Sequence, residues 1–332
     1  MAQATNYQVG ACVLTMLFFW TVSSTAAQTT EEKRTASGSS VNLAEVRDFW
    51  NETLKKASVE PLSATAEIIN LPVPFKKYRV TYRSLGGVMV RAYLAVPIMG
   101  EFAGQKQLPA IISTVGYSGV FPSEMLEECR RGYVILQVFP RSQGESADFW
   151  KIDGPDKLTW HIAQPDGYYY QGAYVDVLRG IDFLTSRPEV DAGRIGLMGT
   201  SQAGGIGLAV AALDSRIRAV TVAQPFLCDM RHAATIQGSL INSLLEKYGV
   251  LNQQSLRTLE FFDPLNLVDH LRRPVLMSAG GKDSTCPMQT IRAVFERLPG
   301  IKAIIVYPEL AHVPSVSFEE MSWEWMDRYL RR

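Results

Sequence analysis

The sequence predicts an α/β protein built on a doubly wound, mostly parallel sheet. Six short apolar runs follow Pro109, and each has the length of a buried strand. These runs are 110–115, 133–139, 195–198, 219–222, 275–278 and 303–306. Amphipathic stretches lie between several of them, such as 174–185, which places Val177, Ile181 and Leu184 on one helix face. Continuous apolar strands that alternate with helices are typical of a parallel sheet covered on both faces.

The segment before Pro109 follows a different pattern. Residues 43–56 have apolar residues at intervals of four, which predicts a helix. Residues 78–83 and 89–96 alternate like strands around a Gly86-Gly87 turn, which predicts an antiparallel hairpin. Residues 229–262 are helical in pattern and lie between two strands, so we expect a helical insertion there, with a lid as one interpretation.

Composition excludes several classes of protein. Lys plus Arg and Asp plus Glu both number 33 among 332 residues, and no basic run is present, so we expect no nucleic-acid or membrane partner. Cys129, Cys228 and Cys286 are widely spaced, which does not resemble a disulfide framework. No Cys/His cluster has zinc spacing, so the sequence predicts neither a metal nor a cofactor.

The first 42 residues differ from the rest of the chain. Residues 13–22 are apolar but too short for a spanning helix of about 20 residues. Small residues follow, with Ala26 and Ala27 as cleavage points. We therefore predict a signal peptide at 1–27, a flexible leader at 28–42, one folded domain at 43–332, and secretion or export to the periplasm. The alternative is a buried N-terminal helix or a misassigned start.

A serine follows the apolar run 195–198 at a glycine-rich turn. Gly199-Thr200-Ser201-Gln202-Ala203 joins a predicted strand to a predicted helix at 204–212. This is the context of a nucleophile elbow, whose pattern is G-x-S-x-G, with Ala203 in place of the last glycine. Glycine-rich strand–helix turns also bind phosphate, but the order of the residues that follow favours a nucleophilic Ser201.

A nucleophilic serine needs a base and an acid that orients the base. In the α/β-hydrolase fold the chain order is serine, acid, histidine. Asp283 is the first carboxylate after the run 275–278, and His312 follows the last run, 303–306. A turn-forming aspartate and a surface histidine are the alternatives, but both residues stand in the required order at two consecutive strand ends. We therefore predict a Ser201–His312–Asp283 triad.

Acyl transfer places negative charge on a carbonyl oxygen, which needs two N–H donors. The residue after the nucleophile supplies one, which predicts the backbone N–H of Gln202. The other usually comes from the loop after an early strand, and the run 110–115 ends in Gly116-Tyr117-Ser118-Gly119. The backbone N–H of Tyr117 is the candidate for the second donor. The alternative interpretation of this segment is an ordinary glycine turn.

These segments together resemble the acetyl xylan esterase and cephalosporin-C deacetylase family, carbohydrate esterase family seven. The strongest likeness is YYYQGAYVDVLRGIDFLTSRPEVDAGRIGLMGTSQAGG from Tyr168, with GGKDSTCP around Asp283, and it extends over roughly 43–330. The resemblance implies an α/β-hydrolase catalytic domain that removes acetyl groups from acetylated saccharides or small acetate esters, without metal or cofactor. It also implies a homo-oligomer, since the family commonly forms hexamers.

The chain departs from three motifs of that family. Arg-Gly-Gln is Arg141-Ser142-Gln143 here, Ala203 replaces the last elbow glycine, and His312 is followed by Val313 instead of Glu. The resemblance implies that Arg141, and Gln143 with it, braces the loops of the site through charge-assisted hydrogen bonds rather than taking part in the chemistry.

Aromatic residues in the loop after Arg141 have two equal interpretations. Trp150, Trp160 and 168–170 either line the mouth of the site, with Trp150 as a substrate-binding residue, or pack the long loop.

The function predicted from the sequence is therefore a serine esterase acting on acetyl esters. Two alternatives stay open: another α/β-hydrolase, such as a glucuronoyl-type esterase, a thioesterase or a peptidase, and an inactive carbohydrate-binding homologue, which the departures at Ala203 and Val313 would suit.

Overall fold

A computed structural model describes residues 41–69, 75–98, 102, 104–120 and 125–331. The described residues form one nine-stranded sheet in the order β1-β2-β3-β5-β4-β6-β7-β8-β9. The strands are β1 Thr65–Ile69, β2 Phe75–Arg83, β3 Met89–Pro97, β4 Leu108–Thr114, β5 Val134–Phe139, β6 Val190–Thr200, β7 Ile217–Ala223, β8 Val275–Gly280 and β9 Lys302–Tyr307. The pairs from β5 through β4 to β9 are parallel. The prediction of a mostly parallel α/β sheet is confirmed.

Nine α-helices connect or flank the strands in the described part of the chain. They are α1 Leu43–Ser58, α2 Leu126–Arg130, α3 Tyr169–Thr185, α4 Gln202–Leu213, α5 Met230–Ala233, α6 Leu240–Lys247, α7 Gln253–Phe262, α8 Met288–Arg297 and α9 Val316–Leu330. The helix predicted from 174 begins five residues earlier, at Tyr169, because the aromatic residues before it are buried against the core. No helix in the described ranges has the length and apolar character needed to cross a membrane.

The N-terminal hairpin is antiparallel, as predicted. β2 pairs with β3 from Phe75↔Pro97 to Arg83↔Met89, and β1 extends the sheet beyond β2. Gly86 and Gly87 both have positive φ, of 72° and 73°, which side chains disfavour and glycine allows. The hairpin joins the parallel strands through an antiparallel pairing of β3 with β5.

The core has a large cluster on one face of the sheet and smaller ones on the other. Alternate strand residues such as Ile112 and Leu197 pack against α1, α3, α4 and α8. Ile111 and Ile135 lie on the opposite face of the sheet. They pack against α2 and α9, and Trp323 is the α9 residue in this cluster. Both faces are therefore covered, as a doubly wound sheet requires.

The helices α5 to α7 lie at the predicted insertion and pack into the large cluster. Phe262 of α7 is fully buried and contacts Trp50 of α1, which stacks on Tyr174 of α3 at 5.5 Å between ring centroids. The Trp50 indole donates to the Phe261 carbonyl at 2.8 Å. This end of the insertion is therefore anchored in the core.

The predicted signal peptide at 1–27 lies outside the described residues. The predicted leader at 28–42 does too, except for its last two residues. Asn42 accepts a hydrogen bond from the N–H of Ala44 at 2.9 Å and caps α1. Export and the domain boundaries stay predictions.

Helix α4 lies very close to the strands and loops beside it. A Cβ on Gly205 would stand 1.9 Å from the Phe226 carbonyl oxygen, and one on Gly199 would stand 2.4 Å from the Ala203 carbonyl oxygen. A Cβ on Gly207 would meet only the Leu197 side chain. The glycine-rich run is therefore required where backbone faces backbone.

Gly205→Ala is expected to destabilise the fold by about 1–3 kcal/mol, the usual cost of overpacking, because the Phe226 backbone has to move. Gly207→Ala is the matched control, since its methyl meets a flexible side chain and alanine is the better helix former by about 1 kcal/mol. Thermal unfolding of both variants checks this. Equal melting temperatures for the two would contradict it.

Candidate active site

Ser201 lies at a sharp turn between β6 and α4. Its φ of 56° and ψ of −120° put a non-glycine residue in a strained region that costs about 1–3 kcal/mol. Three backbone hydrogen bonds hold the turn. The Ser201 N–H donates to the Ala223 carbonyl at 2.9 Å, and the Ser201 carbonyl accepts from Phe226 at 2.9 Å and Gly205 at 3.0 Å. The turn has the form of a nucleophile elbow.

Of the three residues predicted as a triad, His312 lies within hydrogen-bond distance of both Ser201 and Asp283. His312 Nε2 is 2.9 Å from Ser201 Oγ, and His312 Nδ1 is 2.7 Å from Asp283 Oδ2. The Asp283 side chain is fully buried, and its other oxygen accepts the Cys286 N–H at 2.8 Å. When neutral His312 donates its Nδ1 proton to Asp283, its Nε2 is left to accept the serine proton.

Two loops bring Asp283 and His312 together. Gly281 N–H donates to the Tyr307 carbonyl at 2.8 Å, and Lys282 N–H donates to the Leu310 carbonyl at 2.9 Å. A Cβ on Gly281 would lie 2.4 Å from the Pro308 carbonyl oxygen, so this approach needs glycine. The loop after β8 is thereby paired with the loop after β9.

The loop predicted to carry an oxyanion donor is held by two glutamines. Gln202 is buried, and its side-chain amide donates to the carbonyls of Val115 at 3.1 Å and Gly116 at 3.2 Å. It also donates to Gln143 Oε1 at 2.9 Å, and Gln143 Nε2 donates to the Gly116 carbonyl at 3.1 Å. The side chains of Gln143 and Gln202 therefore both contact the 115–117 backbone. The sequence predicted a role only for the backbone N–H of Gln202, not for its side chain.

Lys157 and Asp156 also hold this loop, and no sequence pattern indicated them. Lys157 Nζ donates to the Tyr117 carbonyl at 2.8 Å and lies 3.4 Å from the centre of the Tyr117 ring. The Tyr117 hydroxyl donates to Asp156. Burial raises the pKa of Tyr117 and lowers the pKa of Lys157 to about 8. Asp156 and Lys157 lie in an irregular loop that is far from Tyr117 in the sequence. Hydrophobic periodicity predicts no contacts for residues in such a loop.

Arg141 braces the neighbouring elements from a buried position. Its guanidinium donates to Asp176 at 2.8 Å through Nη2 and 3.0 Å through Nε, and its backbone N–H donates to the same carboxylate at 2.7 Å. Asp176 is fully buried, and a Cβ on Gly172 would lie 2.3 Å from the guanidinium carbon. Arg141 Nη2 also donates a hydrogen bond to the Leu85 carbonyl at 3.1 Å. These contacts favour the bracing interpretation.

Trp150 packs edge-on against Trp160 at 5.1 Å between ring centroids. Among the described residues, those that line the cavity beside Ser201 do not include Trp150. The packing interpretation of the aromatic loop has direct contacts in its favour, and substrate binding by Trp150 stays a prediction.

The mostly parallel sheet and the serine at a strained strand–helix turn define an α/β-hydrolase.

The family follows from sequence comparison. The model of the family described as "Acetyl xylan esterase (AXE1)" matches residues 28–329. The chain therefore belongs to the acetyl xylan esterase family.

Two solved structures of similar proteins share the fold. The acetyl xylan esterase from Paenibacillus sp. R4 is 30% identical with a TM-score of 0.77, and the match covers 87% of this chain and all of that one. Acetyl xylan esterase 1 from Thermoanaerobacterium sp. JW/SL YS485 is 23% identical with a TM-score of 0.77, over 85% of this chain and 92% of that one.

A curated relative matches more locally. Acetyl esterase Axe7A of Xylanibacter ruminicola is 27% identical over 168 residues, which is 50% of this chain and 38% of that protein. This chain thus matches less than half the length of that relative.

Lys157→Met is expected to lower kcat about tenfold, a loss of roughly 1.4 kcal/mol, with KM little changed, because the Tyr117 loop loses a charged donor. The ammonium of Lys157 is present below pH 8 and is lost above it. The wild type should therefore lose kcat above about pH 8, and the variant should lack this alkaline step. Steady-state kinetics on an acetate ester from pH 6 to pH 10 measures both.

Lys151→Met is the matched control, since Lys151 is exposed in the same loop. An unchanged kcat and pH profile in Lys157→Met would show that this lysine does not hold the loop.

Arg141→Met is expected to destabilise the fold by about 3–5 kcal/mol, because Asp176 would remain buried without its partner. Arg187→Met removes a more exposed pair with Glu189 and should cost less than about 1 kcal/mol. Chemical denaturation gives both values. An Arg141→Met protein of wild-type stability that has lost activity would instead assign Arg141 to the chemistry.

Proposed function

We propose that this chain is a serine esterase that removes O-acetyl groups from acetylated saccharides and related small acetate esters. The observation that carries the proposal is the unbroken chain of hydrogen bonds from Ser201 through His312 to Asp283, at 2.9 and 2.7 Å. This constellation activates a serine for acyl transfer. Membership of the acetyl xylan esterase family supports acetate as the acyl group.

The proposed reaction has two steps. His312 takes the Ser201 proton as Oγ bonds to the acetyl carbon, and the carbon–oxygen bond to the sugar then breaks as His312 returns the proton to the leaving oxygen. Water repeats this sequence on the acetyl-enzyme and releases acetate. Asp283 holds the imidazole in one tautomer and balances its charge.

The backbone N–H groups of Gln202 and Tyr117 are proposed to hold the oxyanion. Each missing donor of this kind typically costs about 10²–10³ in kcat, so their placement contributes substantially to the rate. The contacts of Gln143, Gln202 and Lys157 with the 115–117 backbone support this role. The proposed reaction needs neither metal nor cofactor.

The proposal also covers the location of the enzyme and the kind of substrate on which it acts. The apolar run at 13–22 and the small residues after it support export by a signal peptide, to the periplasm or the outside. A balanced charge supports a neutral saccharide as the substrate.

Ser201→Ala is expected to lower acetate release from acetylated xylo-oligosaccharides about 10⁴-fold or more, because the remaining groups cannot form the acetyl-enzyme. Ser186→Ala, at an exposed serine after α3, should retain full activity. The measurement is enzymatic quantification of acetate at matched protein concentration. Undiminished release by folded Ser201→Ala would overturn the proposal.

A further inference from the structure

A buried glutamine, Gln224, lies in the segment that holds the nucleophile turn. It follows β7 directly and is 3% exposed. The Ala223 carbonyl before it accepts the Ser201 N–H, and the Phe226 N–H after it donates to the Ser201 carbonyl, both at 2.9 Å. The position of Gln224 is therefore tied to that of the serine.

The side chain of Gln224 reaches the loop that carries the histidine. Its Nε2 donates to the carbonyl of Ala311, the residue before His312, at 2.6 Å. The amide passes over Gly280 at the end of β8, where a Cβ would lie 2.8 Å from both Gln224 Nε2 and the Ala311 carbonyl oxygen. A larger residue at the end of β8 would therefore block this contact.

The hydrogen bond to Ala311 acts where packing contributes little. Ala311 and Val313 are exposed, and the His312 side chain is 26% exposed, whereas that of Asp283 is fully buried. The Ala311 carbonyl also accepts the Val313 N–H at 2.8 Å, so two hydrogen bonds converge on the peptide group that precedes His312. Hydrogen bonds rather than burial therefore orient this part of the loop.

Gln224 occupies this place at a cost to the stability of the fold. Its φ of 44° lies in the left-handed region, which is unfavourable for a residue other than glycine. Its Oε1 is buried and has no donor among the described residues, which is also unfavourable. Backbone strain that the surrounding structure maintains is concentrated at functional sites, so these two costs favour a functional role for the residue.

We propose that Gln224 is a positioning residue of the active site, which joins the serine turn to the histidine loop and so maintains the 2.9 Å separation of His312 Nε2 from Ser201 Oγ. The inference rests on the proposed serine acyl transfer, and Gln224 acts through His312 rather than on the substrate. Proton transfer needs the two atoms within hydrogen-bond distance, so a displaced histidine loop lowers the rate of the chemical steps.

Gln224→Met tests this role, because methionine has a similar length and no donor for the Ala311 carbonyl. We expect kcat for p-nitrophenyl acetate to fall at least tenfold with KM little changed, since a misplacement of about 1 Å can cost about a hundredfold in rate. An unchanged kcat in folded Gln224→Met would overturn this inference alone. Absence of turnover by the wild-type enzyme would overturn the proposed function instead.

Asn266→Leu is the matched control. Asn266 is also 3% exposed, and its amide donates to a backbone carbonyl, that of Glu260, at 2.7 Å. Both variants are expected to lower the melting temperature, but folded Asn266→Leu should keep the kcat of the wild type. An equal fall in kcat for the two folded variants would assign the loss at position 224 to general destabilisation and contradict the proposal.

Gln224→Glu provides a second, independent test. A protonated carboxyl has one O–H to donate to the Ala311 carbonyl, and an ionised carboxyl has none. Burial raises the pKa of a glutamate above its usual value of about 4.3. We therefore expect kcat relative to the wild type to be highest near about pH 5 and to fall at least about tenfold towards about pH 9 as the donor is lost.

The ratio to the wild type isolates the effect of the new carboxyl. Both proteins keep the same titratable groups on the two loops that face position 224, which are Asp283, His312, Lys282 and Glu309. A ratio that does not change with pH in the folded variant would contradict the proposal, even if Gln224→Met does not fold.

Discussion

The site depends on one strained residue, Ser201, which is held at positive φ where β6 turns into α4. The strain persists because the turn bonds to Ala223, Phe226 and Gly205 at once, so relaxing it would break several backbone hydrogen bonds. Glycines on both sides of the serine let these backbones meet. The result is a hydroxyl that stands clear of the sheet, within reach of residues from other strand ends.

Two further groups of contacts position other residues around the Ser201 hydroxyl. Paired loops after β8 and β9 place Asp283 and His312 in line with it. On the other side, amides of Gln143 and Gln202 hold the 115–117 backbone, and Lys157 holds the Tyr117 carbonyl. The buried Arg141–Asp176 pair fixes the segment that carries Gln143. Positioning, rather than additional reactive groups, is therefore the main contribution of the surrounding residues.

The sequence predicted the parts of this arrangement that follow from chain order. Apolar runs located the parallel strands, and Ser201, Asp283 and His312 each follow such a run. Lys157 and Asp156 escaped prediction, because their contacts with Tyr117 join loops that meet only after folding. Trp150 and Trp160 have the same sequence signals as binding residues and as packing residues, and their mutual contact favours packing.

Peptide mass spectrometry after treatment with a fluorophosphonate tests directly whether His312 activates Ser201, because this reagent reacts with a serine only when a base activates it. We expect a single adduct on the peptide that contains Ser201, and loss of that adduct in His312→Ala. An unlabelled protein, or equal labelling of Ser201 without His312, would contradict it.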